Sequence, residues 1–152
     1  GPSVEESLKV AALLGGEGSL AKIAERKAGT RELKAPATPA VWDGRLVVLV
    51  NAGTAGAAEV LAAGLRERCN ASLVGEKTWG LGTLQKVIFL PAGDGVRISV
   101  GKYLSPEGKE WNGTGLSPDV VQAHQAGDTG DDLQMKKGLE ILKAPAEEKK
   151  AA

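Results

Sequence analysis

One histidine, His124, and one cysteine, Cys69, are all this chain has of the side chains that usually build zinc centres and imidazole-based triads. A single cysteine closes no internal disulfide and leaves the redox compartment open. No apolar run approaches the roughly 20 residues that cross a bilayer. No basic segment followed by an apolar stretch marks a signal peptide. The opening Gly1-Pro2 resembles the remnant of a cleaved affinity tag; on that reading the chain is an excised piece, and its native location is left open. Net charge is also missing: 19 Lys plus Arg balance 19 Asp plus Glu. No nucleic-acid partner is expected, because that needs a basic face, and an acidic membrane surface exerts no general pull. Aromatics are only 3%, whereas glycine reaches 21 residues, so much of the chain turns tightly or lets backbones approach closely. What is present suits one globular domain: 152 residues, 42% hydrophobic and 25% charged.

Ser3-Val4-Glu5-Glu6 reads as a helix start, with Ser3 as cap and Glu6 completing a capping box. Val4, Leu8, Ala11 and Ala12 then repeat at helical spacing, and Gly15-Gly16 ends the helix. Residues 19–28 and 32–35 read as extended arms turning near Gly29. Pro36 and Pro39 mark an irregular connection. Leu46 to Val50 is a short β-prone apolar run, as expected of a strand covered by helices on both faces. Ala57 to Arg68 reads as a helix with its stripe at Ala57, Val60, Leu61 and Leu65, and Ser72 to Gly75 as a second buried strand. Together they make one strand–helix–strand unit. Thr83–Leu90 and Gly95–Leu104 alternate like hairpin arms about Pro91-Ala92-Gly93-Asp94-Gly95. Val120-Val121 is a short extended piece. Asp131 to Lys143 is a helix, apolar at Leu133, Leu139 and Leu142. The tail 144–152 is expected to fray.

The informative segments lie where an α/β fold gathers function, at strand ends and the starts of the following helices. Asn51-Ala52-Gly53-Thr54-Ala55-Gly56-Ala57-Ala58-Glu59 is the first. By itself it reads most simply as a tight turn with small residues, although the N–H groups of a helix start also suit an oxyanion. Gly75-Glu76-Lys77-Thr78-Trp79-Gly80-Leu81-Gly82-Thr83-Leu84-Gln85 follows at the end of the next strand. Lys102-Tyr103-Leu104-Ser105-Pro106-Glu107-Gly108 and Gly113-Thr114-Gly115-Leu116-Ser117-Pro118-Asp119-Val120 complete the series. In this order and spacing, the four segments resemble the catalytic core of the carboxyl-terminal processing (tail-specific) serine peptidases. The resemblance covers about residues 1–143.

That resemblance implies a Clp protease/crotonase-like α/β fold of stacked β-β-α units, here a partial catalytic core. It also implies a Ser–Lys dyad aided by a glutamine, and a protein or peptide C-terminal tail as partner. The nucleophile position falls on Gly56 and the base position on Leu81, and neither residue can do that chemistry. The assisting glutamine is retained as Gln85, and the oxyanion N–H falls on Ala57. Gly53, Thr54 and Trp79 are the expected peptide contacts, with packing as the first role of Trp79. The family's preceding strand and an upstream PDZ domain are expected elsewhere in a longer protein. The resemblance further implies a periplasmic or otherwise extracytoplasmic location. The exposed sheet edge left by the absent strand suits a homodimer or strand exchange.

No cofactor and no metal are expected. Asp128, Asp131 and Asp132 lack the ligand spacing of a calcium loop and read as a helix N-terminal charge cluster, and His124 reads as an exposed loop residue. Three functions follow. The favoured one is a pseudopeptidase that binds a tail without cutting it. A second is an active peptidase with relocated groups, for which Thr54, Lys77 and Cys69 are the candidates. Each of these has a plainer role, as helix cap, surface charge and partly buried thiol. The third is a purely structural module.

Overall fold

A computed structural model describes residues 3–123 and 132–144. Its elements are α1 (Val4–Gly15), β1 (Gly18–Glu25), β2 (Gly29–Ala35), β3 (Val47–Val50), α2 (Ala57–Arg68), β4 (Ser72–Gly75), β5 (Thr83–Phe89), β6 (Gly95–Leu104), β7 (Val120–Val121) and α3 (Leu133–Lys143). The fold is mixed α/β, as the sequence implies. One sheet is antiparallel with strand order β2-β1-β6-β5, and the other is parallel with order β3-β4-β7. His124, Asp128, Asp131 and the tail beyond Ala144 lie outside the described residues.

Helix α2 serves both sheets. Val60, Ala63 and Leu65 join Leu20, Ala21 and Ile23 of β1, with Ala11 and Ala12 of α1, in the larger core cluster. Ala62 packs instead with Val50 of β3 and Leu73 of β4. The helix comes this close to β1 because position 64 has no side chain. A Cβ at Gly64 would lie 2.1 Å from Leu20 Cδ1 and 2.6 Å from the Leu20 carbonyl oxygen. Trp111 is part of this core at 1% exposure. Its indole fills space that a chain poor in aromatics fills nowhere else with so large a group.

Two helix expectations are corrected. At α1, Ser3 Oγ accepts from the Glu6 N–H at 3.3 Å. Glu6 does not close the box, because its carboxylate is held by Lys9 at 2.9 Å. At α3, Leu139 and Leu142 are exposed, and the buried positions are Gln134 and Gly138. Gly138 lets the helix settle on β3, where a Cβ would meet Val47 Cγ1 at 3.2 Å and Leu49 Cδ2 at 3.3 Å. Gln134 Nε2 donates to the Gln122 carbonyl at 2.9 Å and so ties α3 to the chain leaving β7.

Two outcomes are expected. Gly64→Ala gains helix propensity of roughly 1 kcal/mol, yet the backbone clash with Leu20 dominates. Urea unfolding is expected to show a net loss of about 1–3 kcal/mol. Burial raises the Tyr103 phenol above its ordinary value of 10.0, with Arg31 opposing in part. A phenol raised by folding stabilises the fold below its unfolded value, and that contribution is lost as pH climbs through the folded one. Tyr103 is the chain's one tyrosine, so an alkaline absorbance titration reads it alone. Phenolate is expected to appear later in the native protein than in urea.

Candidate functional site

The site begins where β3 ends. The Asn51 N–H donates to Thr54 Oγ1 at 3.1 Å, the Thr54 N–H returns to the Asn51 carbonyl at 2.9 Å, and the Gly53 N–H donates to Asn51 Oδ1 at 2.9 Å. Thr54 therefore braces the turn and is not the helix cap the sequence led one to expect. The cap position of α2 is Gly56, with φ 60 and ψ −119. A residue with a Cβ is strained at that backbone geometry, and a glycine relieves the strain. Among the described residues the Ala57 N–H has no hydrogen-bond acceptor, which leaves the first donor of the helix open.

Glu59 carries the arrangement. It is fully buried at 0% exposure, yet among the described residues no cation pairs with it. Its Oε1 accepts from Thr78 Oγ1 at 2.5 Å and from the Gly80 N–H at 2.8 Å. Its Oε2 accepts from the Leu81 N–H at 2.8 Å and the Gly56 N–H at 3.0 Å. Four donors match the acceptor sites of a carboxylate, and charge-assisted bonds of this kind are the strong ones. One side chain thus joins the 51–56 turn to the 76–82 loop.

That loop is fastened on its other side to the segment around 111–116. Thr78 donates its backbone N–H to the Leu116 carbonyl at 3.1 Å, and its Oγ1 accepts from the Leu116 N–H at 2.7 Å. The Gly113 N–H donates to the Gly80 carbonyl at 2.8 Å, and the Gly82 N–H to Asn112 Oδ1 at 3.2 Å. The approach requires glycine. A Cβ at Gly115, whose φ is 74, would stand 2.1 Å from the Thr78 carbonyl oxygen. Behind this segment lies a cavity of about 240 Å³ lined by Arg66, Glu67, Lys109 and Trp111. Its charges are already engaged. Arg66 pairs with Asp119 at 2.5 Å, and Lys109 pairs with Glu107 and Glu67, which raise its pKa.

Positions 56 and 81 meet: a Cβ built on Gly56 would lie 3.6 Å from Leu81 Cδ2. Trp79 stands beside them, its N–H donating to the Thr54 carbonyl at 2.9 Å. The indole is 70% exposed, so the packing role expected for it is not found. Leu81 is 38% exposed at the rim. Gln85 lies on β5 at a bulge and is exposed. Among the described residues its side chain bonds neither to the turn nor to the loop. Lys77 is exposed. Cys69 is a free, half-buried thiol at the far end of α2 from Gly56. No group of His, Cys, Asp and Glu among the described residues is placed to hold a metal ion. Sequence reasoning missed Glu59 and Thr78 as site residues. A glutamate three residues after a helix cap was the available signal, and it was applied only to α1.

The model of peptidase family S41 matches residues 1–122. The chain belongs to peptidase family S41. It is 46% identical over 74 residues to carboxyl-terminal-processing peptidase 1 of Arabidopsis thaliana, a chloroplastic protein, covering 49% of this chain and 15% of that one. It is 30% identical over 159 residues to a carboxy-terminal processing protease of Bacillus subtilis, covering 95% of this chain and 34% of that one. Among solved structures, a photosystem II D1 C-terminal processing protease superposes with a TM-score of 0.73 at 38% identity, over 81% of this chain and 32% of that chain. This S41 chain therefore spans about a third or less of these relatives.

Glu59→Gln places an amide among four donors and removes acceptor capacity. Thermal or urea unfolding is expected to show a loss of roughly 2–5 kcal/mol. Hydrogen exchange is expected to accelerate first at the Gly56, Gly80 and Leu81 amides, ahead of Val74 in β4.

Proposed function

We infer that this S41 chain binds the C-terminal tail of a protein or peptide and does not hydrolyse it. The observation that carries the reading is the pair Gly56 and Leu81. They face each other where the family resemblance puts nucleophile and base, 3.6 Å apart as measured from a Cβ on Gly56. Neither offers an atom that can attack a carbonyl or take up a proton. What remains suits binding: the open Ala57 N–H, the exposed Trp79 indole and the apolar rim at Leu81. Gly53 and Thr54 complete the proposed contact surface, and Gln85 is the retained member of the family's catalytic set.

Relocated catalysis finds no support. The Thr54 hydroxyl accepts from the Asn51 N–H and so braces the turn before α2. Cys69 lies twelve helical residues from the turn, about 18 Å at 1.5 Å per residue. A periplasmic or other extracytoplasmic location, an upstream PDZ domain and a homodimer formed through an open sheet edge belong to the same reading. The first two rest on family resemblance alone.

The test compares hydrolysis of an unfolded protein substrate by the natural chain and by Gly56→Ser/Leu81→Lys. The serine enters strained backbone, so the variant is expected to be less stable by about 1–2 kcal/mol and is assayed well below its melting temperature. Silence in the natural chain with cutting by the double variant supports the reading. Cutting by the natural chain that survives repurification overturns it. Quenching of tryptophan fluorescence by an apolar-ended unstructured peptide, reduced in Trp79→Ala, is the expected binding signal. No response from any such peptide would favour a structural module.

A further inference from the structure

The β5–β6 hairpin leaves the body of the molecule. β6 pairs with β1 only over Gly101–Leu104, so residues 86–98 are paired only with each other. An isolated two-stranded ribbon is marginal in water. This one nevertheless exposes large apolar side chains on both faces. Ile88, Val96 and Ile98 share one face with Lys86, whereas Val87 and Phe89 share the other with Arg97 and Gly95. Phe89 is 80% exposed. β5 is also the edge of its sheet. Over 83–89 its edge protection is Lys86 and the bulge between Leu84 and Gln85; beyond that bulge the strand is regular, with no proline and no inward charge.

We propose that β5 is a homodimer interface, pairing antiparallel with β5 of a second copy about a two-fold axis at Ile88. This deepens the homodimer part of the functional reading and is independent of whether the site binds or cuts peptides. Three features single out a second copy as the occupant.

The first is hydrogen-bond direction. The Leu90 N–H donates inward to the Asp94 carbonyl at 2.7 Å. Antiparallel alternation then turns the N–H and C=O groups of Val87 and Phe89 outward. Around an axis at Ile88, Val87 of one copy lies opposite Phe89 of the other. The outward groups of the two residues therefore satisfy one another on both sides of the axis.

The second is side-chain matching. Val96 and Ile88 continue into Ile88 and Val96 of the second copy as one apolar row. On the other face Phe89 meets Val87 across the junction, an aromatic against a β-branched residue, a favourable cross-strand pair. The third is charge. Lys86 falls beside Leu90 of the second copy. The two Lys86 side chains end up about 13 Å apart at 3.3 Å per residue, beyond the screening length of about 8 Å. The balanced net charge adds no long-range repulsion. The product is a continuous sheet in which each ribbon supports the other.

Sedimentation equilibrium of the chain from micromolar to near-millimolar concentration tests this. A monomer–dimer equilibrium is expected, and it is expected to be lost in Ile88→Lys, which sets two ammonium groups opposite each other on the axis. Circular dichroism checks that this variant, altered at a half-exposed position, keeps its fold. In a Cys69→Ala background, Ile88→Cys is expected to form a disulfide dimer on mild oxidation. A directly opposed, non-hydrogen-bonded pair brings Cα atoms to about 4.5 Å, within disulfide range. Arg97→Cys, one strand further out, is expected not to crosslink. A monomer at every concentration, a dimer that survives Ile88→Lys, or equal crosslinking at 97 overturns the proposal.

Discussion

The Glu59 carboxylate is where the two halves of the candidate site are joined. A buried ion without a counter-ion is costly unless its lone pairs are filled. Here the donors come from two stretches: Gly56 at the start of α2, and Thr78, Gly80 and Leu81 in the loop after β4. Neither can shift without stranding the carboxylate's lone pairs. The distance between positions 56 and 81 is therefore set by a residue that touches neither of their side chains. Thr78 extends the constraint. Its hydroxyl donates to Glu59 and accepts from Leu116, so the 111–116 segment is held through the same centre.

Glycine makes this convergence sterically feasible. The 76–82 loop and the 111–116 segment touch backbone to backbone, and Gly115 lies where any Cβ would penetrate the Thr78 carbonyl. Gly64 does the same for α2 against the Leu20 carbonyl of β1, whereas Gly138 lets α3 lie close on the Val47 and Leu49 side chains of β3. The high glycine content thus has a structural cause. The chain holds few large aromatics, and it gains packing by bringing main chains together where others fill space with rings. Trp111 is the exception, a large ring buried in the same core cluster as Val60 and Ala63 of α2.

The order of elements was legible in the sequence because it rests on local signals. The apolar run at 46–50, the alanine-rich helix after it and the alternation on both sides of Pro91 each announce their structure within a few residues. Positions 56 and 81 were legible as partners only through resemblance. What stayed hidden depended on contacts between distant segments. Trp79 and Trp111 look alike in sequence, each beside glycines in a polar loop, yet one is exposed and the other buried. Which of them faces inward is decided by where the 111–116 segment docks. Thr54 read as a cap because of its place before a helix, but the turn bonds to Asn51 claim its hydroxyl first. Glu59 drew no reading of its own in the sequence, because only the fold brings Thr78, Gly80 and Leu81 to it. Leu139 and Leu142 followed the apolar rule and failed, because shape rather than hydrophobicity decides the face of α3: Gly138 is the residue that fits.

The frame and the proposed chemistry are carried by different atoms, and this bears on how such a site evolves. The Glu59 bonds at positions 56 and 81 are to backbone N–H groups, which every residue but proline supplies. Side chains there are free to change without loosening the carboxylate. Position 56 even gains from losing its side chain, because its φ of 60 is unstrained only for glycine. A serine at such a turn stores strain that catalysis can use. On the proposed reading cutting is no longer selected, and a glycine at this position releases the strain and stabilises the same turn. On the proposed reading, Gly56 is thus a local stability optimum on an inherited frame. Both side chains have, on that reading, changed without disturbing the backbone bonds that Glu59 makes to the two positions.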